Sequence, residues 1–277
     1  MSVRKLLLVL ALSSVGVTAF AAPPPAINTH SCHATDDLAG AVSALPRVAA
    51  AMKSGTMRVL AVGSATMFGP DATLAAGTVT SQSLSRTPGV ASVPPAQTLD
   101  TATEGAFPFK MAAALKTAVP GLQMDVVLRG GRGLSAADML SLLRTELKNG
   151  PYQLVLWQTG TVEAVRNSPP GEFAQVLADG AESVEGAGAN LVLIDPQYSR
   201  FLQTNSNLDP YTQALQQTAA MPGVALFRRF DLMRMWANDG VIDLERTPRT
   251  ERRKTVEMLH SCLGETLARL VLAGTRP

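Results

Sequence analysis

The chain of 277 residues has only two cysteines and three histidines, its aromatic content is 5%, and neither sign of charge dominates. Each scarcity excludes something. Two thiolates cannot complete a tetrahedral zinc shell, so Cys32 and Cys262 read first as a disulfide in a chain that meets an oxidising compartment. Such a bond closes a loop of about 230 residues and contributes on the order of 5 kcal/mol through chain entropy, native strain aside. The rival grouping, His30-Ser31-Cys32-His33, sets three ligands within four residues. They cannot all face one ion without a strained backbone, so no metal site is expected and no organic cofactor is implied. The 24 basic and 22 acidic residues give a formal net charge of +2. Arg4 and Lys5 lie in an N-terminal leader, and without them 22 residues of each sign remain. Composition therefore makes no case for nucleic acid or an anionic membrane as partner. The one local excess, Arg246 to Lys254, sets five basic residues against one acid. Lacking a glycine-rich cradle or interleaved aromatics, it reads as a solvated loop and helix start. Nothing repeats at a fixed period, which excludes solenoids and propellers.

Also missing is an apolar run of the roughly 20 residues that a membrane span requires. The mostly apolar stretch from Leu6 to Val17 is shorter, follows Arg4-Lys5 and precedes Ala19-Phe20-Ala21. A basic start, a short apolar core and an A-x-A site mark a secretory signal peptide over residues 1–21 in preference to an uncleaved anchor. The mature chain is expected to begin near Ala22 and to be periplasmic or secreted, with no stable membrane span after cleavage. At roughly 255 residues it is long enough for a single α/β core.

What is present begins with Met57–Gly69, an apolar run that stops at Gly63 and turns through Ser64-Ala65-Thr66. This pattern predicts a buried parallel strand entering a sharp strand-to-helix turn. Ligands of α/β sheets gather at the carboxyl ends of strands, so this turn is the first place to look for chemistry. Residues 22–56 form an N-terminal arm and helix: Pro23-Pro24-Pro25 is extended, and a helix is expected over Leu38 to Met52 with Asp36 as N-cap and Pro46 interrupting or ending its first part. Residues 57–277 form the domain proper. Within it, a Thr-, Ser-, Ala-, Gly- and Pro-rich insert over 70–105 should be a long surface excursion. Four more apolar runs follow, at Met124–Leu128, Leu154–Trp157, Asn190–Ile194 and Val224–Phe227, separated by helical stretches. Ser135 is a natural cap for the helix beginning Ala136-Ala137-Asp138. Five near-continuous strands alternating with helices predict a doubly wound α/β sheet, mainly parallel, with helices on both faces.

Six ordered blocks carry a resemblance: VGSAT (Val62–Thr66), VVLRGGRG (Val126–Gly133) with AADML (Ala136–Leu140), LVLWQTGT (Leu154–Thr161), LVLIDPQY (Leu191–Tyr198), LFRRFDLMRMW (Leu226–Trp236) and CLGETLA (Cys262–Ala268). In this order and spacing the chain from Pro46 to Leu272 resembles the SGNH, or GDSL-type, hydrolases of the exported bacterial branch. The resemblance implies a flavodoxin-like five-stranded fold and serine-based ester hydrolysis. It also implies a serine after the first strand, a histidine base preceded three residues earlier by aspartate, and an oxyanion hole of serine N–H, glycine and asparagine. Gly133 stands at the oxyanion glycine. Aligned on Gly63 the nucleophile falls on Ala65; shifted by one it falls on Ser64, restoring Ser-x-Thr spacing to Thr66 but putting Val62 in place of the turn glycine. The asparagine position holds Val162, which has no donor, and its loss costs about 3 kcal/mol in the transition state. Beside it, Glu163 would oppose an oxyanion. Anchored on Cys262, the histidine falls on Lys254 and its aspartate on Glu251. His260, six positions later, is a packing residue or a displaced base. The expected function is therefore a catalytically impaired ligand-binding or accessory module for an acylated small molecule or carbohydrate. The alternatives are an active serine esterase using Ser64 with His260 or Lys254 as base, and a purely structural role.

Overall fold

A computed structural model describes Cys32 and residues 43–70 and 105–276. The expected signal peptide, most of the expected N-terminal arm and the interior of the expected insert lie outside the described residues. The strands are β1 (Thr56–Gly63), β2 (Gln123–Gly130), β3 (Leu154–Gln158), β4 (Asn190–Ile194) and β5 (Val224–Phe227). They form one sheet in the order β2-β1-β3-β4-β5, and every pair is parallel. The sheet is thus wholly parallel and not only mainly so. It is α/β, doubly wound, with the chain winding outward in both directions from β1.

Alternation along each strand divides the core in two. Val59, Ala61, Leu154, Leu156, Val192 and Ile194 face one layer. Their neighbours Leu60, Val62, Val155, Trp157, Leu191 and Leu193 face the other. Both faces are apolar because both are covered, which is why the strands read as continuous runs. The first layer is covered by α1 (Pro46–Ser54), α2 (Phe107–Ala118), α8 (Arg229–Asn238) and α9 (Arg252–Gly274). The second is covered by α3 (Ala136–Lys148), α5 (Pro170–Gly186) and α7 (Asp209–Thr218). The α2–α9 contact is close because Gly264 has no side chain; a Cβ there would stand 2.9 Å from both the Met111 nitrogen and the Phe107 oxygen.

Two short helices, α4 (Thr161–Arg166) and α6 (Arg200–Asn205), and a 3-10 turn at Ala65–Met67 are additional to the sequence expectation. Runs of three to six residues have too little periodicity to be read. Of the helix expected over Leu38 to Met52, residues 38–42 lie outside the described residues, and Pro46 opens α1 at a position where its missing N–H costs nothing. Its cap comes from the sheet: Asn190 Oδ1 accepts the N–H groups of Arg47 at 2.9 Å and Val48 at 3.2 Å. Asp36 lies outside the described residues.

The disulfide joins Cys32 to Cys262, with both residues buried, and ties the arm to α9. Its formation also removes the Cys32 thiolate from any metal-ligand set. The ends of the insert meet, since a Cβ on Gly105 would lie 2.8 Å from the Pro70 ring. The chain therefore leaves and re-enters the fold at one place, six residues beyond Ser64.

Candidate functional site

In this strand order the two neighbours of β1 lead the chain away in opposite directions. The crevice of such a fold opens beyond the carboxyl ends of the strands, at this switch point. Ser64 is the residue after β1, and Gln158 is the last residue of β3, so the two face each other across it. Close approach is secured by glycine. Gly63 leaves room for the Gln158 Cβ, and Gly130, with φ +131°, packs directly on the Gly63 carbonyl, where any Cβ would collide.

Ser64 is half-buried and extended, with Thr66 following in the 3-10 turn. Gln158 Nε2 donates to Ser64 Oγ at 2.8 Å and to Thr66 Oγ1 at 2.9 Å. Arg229 Nη1 donates to Thr66 Oγ1 at 3.2 Å. Proton counting then fixes the remaining contact. Thr66 Oγ1 has both lone pairs occupied, so across its 3.0 Å contact with Ser64 it is the donor. Ser64 Oγ in turn accepts two hydrogen bonds, and its own proton is directed outside this cluster. Turning the Gln158 amide over would set three oxygens together with only two protons between them, so the amide orientation follows from the same count. Ser64 is thereby a hydrogen-bond donor whose lone pairs are occupied.

Behind this cluster lies Arg229, the first residue of α8 and fully buried. Its guanidinium stands 5.6 Å from the centre of the Phe107 ring. Burial pushes its pKa down to about 10, opposed in part by the charge of Asp195. Asp195, just beyond β4, is buried and accepts the Phe230 N–H at 2.8 Å through Oδ1. Burial raises its pKa to about 7, against the pull of that bond and of Arg229.

The remaining expected residues fall as follows. Gly133 lies three residues beyond β2 with φ +73°, and its carbonyl accepts from Arg166 at 3.3 Å. Val162 is the second residue of α4 and half-buried. Its neighbour Glu163 is buried with Oε1 on the Ala136 N–H at 2.5 Å, so this carboxylate caps α3, which corrects its expected role of opposing an oxyanion. Ser135 and Asp138 complete that helix start as a capping box. Ala65 opens the 3-10 turn, and Glu251 and Lys254 are exposed at the start of α9. His260, one and a half turns further along, is fully buried. Its Nδ1 accepts the Phe107 N–H at 3.1 Å, and burial together with Arg229 and Lys110 pushes its pKa down to about 3. It is therefore the neutral Nε2–H tautomer across the physiological range. Ser64, by contrast, hydrogen-bonds only Gln158 and Thr66 among the described residues. A separate hollow lined by Tyr198, Met233, Ile242 and Leu259, with Arg200 and Asp243 at its rim, includes none of the strand-end polar residues.

Two members of the cluster have no role in the sequence reading, Gln158 and Arg229. A polar residue directly ending an apolar strand was the available signal for the first. For the second it was a pair of arginines, Arg228-Arg229, directly after an apolar strand.

The family model that matches residues 31–277 is that of the Non-GDSL lipase-like family. The chain belongs to this family. Its fold is shared with solved esterases and hydrolases. Among solved structures, the acetylxylan esterase Axe2 of Geobacillus stearothermophilus is 13% identical with a TM-score of 0.55, covering 78% of this chain and 94% of its own. LAE5, an alpha/beta hydrolase enzyme from the metagenome of Lake Arreo, is also 13% identical with a TM-score of 0.50, covering 75% of this chain and 96% of its own. At such identities the likeness is one of fold. No curated protein sequence matches this Non-GDSL lipase-like chain.

Proposed function

We propose that this member of the Non-GDSL lipase-like family is an exported binding or accessory module. It holds an acylated small molecule or carbohydrate at the strand ends without hydrolysing it. The observation that carries the proposal is the state of Ser64. Attack on an ester needs a free lone pair on Oγ and a base that takes its proton. Here both lone pairs accept hydrogen bonds, from Gln158 and Thr66, and neither His260 nor Lys254 bonds the hydroxyl. His260 has its Nδ1 on the Phe107 N–H, and Lys254 is exposed at the start of α9. Val162 and Glu163 supply no donor to an oxyanion, the one being apolar and the other capping α3. Export rests on the leader sequence, and the disulfide agrees with it.

The test is to treat the purified protein with a fluorophosphonate probe and with p-nitrophenyl acetate. No labelling and no hydrolysis above the buffer rate are expected. Turnover that disappears in Ser64→Ala overturns the proposal in favour of an active serine esterase. The observation on that side is that Ser64 stands on the turn after β1, where such a fold presents a nucleophile.

A further inference from the structure

Arg229 is a buried cation with an unfinished set of contacts. One nitrogen, Nη1, donates to Thr66 Oγ1. Nε and Nη2 are both buried and have no hydrogen-bond partner among the described residues. The opposite charge that acts on Arg229 is Asp195, which it does not bond; Asp195 has the Phe230 N–H on Oδ1, and burial raises its pKa to about 7. A charged guanidinium in the interior is costly unless its donors and its charge are met. Nothing in the fold requires an arginine here, since a long apolar side chain would fill the space beside Phe107 without that cost.

The two open nitrogens are not scattered. Nε–H and Nη2–H lie on one edge of the planar guanidinium and point the same way, the fork that matches the two oxygens of a carboxylate. The third nitrogen, Nη1, faces the other way and is held by Thr66, so the guanidinium is fixed in place while this edge is left over. One guanidinium with Asp195 nearby suits a single negative charge better than a doubly charged phosphate. We infer that the unpartnered Nε–Nη2 edge of Arg229 is a binding site for the carboxylate of a small monoanionic ligand. This rests on the reading of the site as one that binds, and it names the ligand chemistry that reading leaves open. Because Arg229 is sealed, the ligand displaces covering side chains as it enters, so association is slower than at an open cleft.

Sodium acetate is the probe. The full chain is titrated with it at constant ionic strength against sodium chloride, with neutral acetamide as the uncharged isostere, and binding is read by calorimetry and by thermal unfolding. Acetate should give a saturable rise in Tm of about 4 °C near tenfold saturation, with no rise from chloride or acetamide. Arg229→Met should abolish the acetate response while leaving the ligand-free protein folded and no less stable. Arg229→Lys keeps the charge but not the paired donors and should weaken acetate at least tenfold; it decides the matter alone should the methionine variant fail to fold. No acetate response, or one unchanged in both variants, overturns the inference and leaves Arg229 a structural residue only. Fluorophosphonate labelling in parallel separates the two readings. A labelled Ser64 sinks the non-hydrolytic function whatever acetate does, whereas an unlabelled protein that ignores acetate sinks only the carboxylate site.

Discussion

The two edges of the sheet use similar residues to opposite effect. Where the strands begin, the buried amide of Asn190 is in use at both ends. Its oxygen takes the Arg47 and Val48 N–H groups, and its nitrogen reaches the Gly223 carbonyl at 3.2 Å. Gln153 beside it accepts the Arg58 N–H at 2.7 Å. Where the strands end, Gln158 donates twice but its oxygen has no partner among the described residues, and the same is true of Thr159 Oγ1, Gln197 Oε1 and two nitrogens of Arg229. A buried polar group left unmet costs about 1–3 kcal/mol. Such groups are rare in folded proteins; among the described residues Trp157 and, on α9, Arg252 also carry such an atom, but at the strand ends several lie together, which separates the part of the molecule that secures the fold from the part suited to meet a ligand.

That contrast can be broken from either side. The largest effect is expected at Asp195. Its folded pKa near 7 lies above the ordinary 3.8, so between those values the folded state holds a proton that the unfolded chain has released, and stability falls as pH rises through the window. Asp195→Asn removes this penalty. The variant should exceed the parent by on the order of 4 kcal/mol at pH 8, with the gap closing by pH 4, as read by urea unfolding across pH. His260 has the opposite sign. Its folded pKa near 3 lies below 6.5, so acid favours the unfolded state over that range. In the parent the two slopes oppose each other between pH 4 and 6.5. In Asp195→Asn the slope from His260 should stand uncovered, at about 1.4 kcal/mol per pH unit, and a flat profile there would show that His260 is not held neutral.

Next comes the satisfied edge itself. Asn190→Ala strips the cap from α1 and leaves two N–H groups and one carbonyl unmet. A loss of about 3 kcal/mol, or a Tm lower by about 9 °C, is expected. A loss below about 1 kcal/mol would mean that water enters this edge freely and that the contrast between the edges is weaker than drawn.

The same comparison explains what could be read from the chain. The five strands were legible because burial on both faces makes each a continuous apolar run, and the Ser135 cap because its partner Asp138 is three residues away. The cap of α1 was not, because Asn190 is 143 residues from Arg47. Of the site, the turn at Ser64 and Thr66 could be found from local spacing. Gln158 and Arg229 reach Ser64 and Thr66 from 94 and 163 residues away, contacts made only when the sheet closes. Glu163 went astray for the same reason: sequence sets its charge beside Val162, whereas the fold turns it onto Ala136, 27 residues back.

The smallest expected effect is the sharpest test of the contrast. Gln158→Leu removes two donors from the hydroxyls of Ser64 and Thr66, but it also removes an amide oxygen that has no partner. Ser64 is half-buried, so water can replace the lost bond to it. Thr66 keeps Arg229 as a donor. The gain and loss nearly balance, and the variant should lie within about 1 kcal/mol of the parent in urea unfolding. A cost equal to that of Asn190→Ala would make Gln158 a structural amide like its counterpart at the other edge, and the strand ends would then be built for stability like the strand starts.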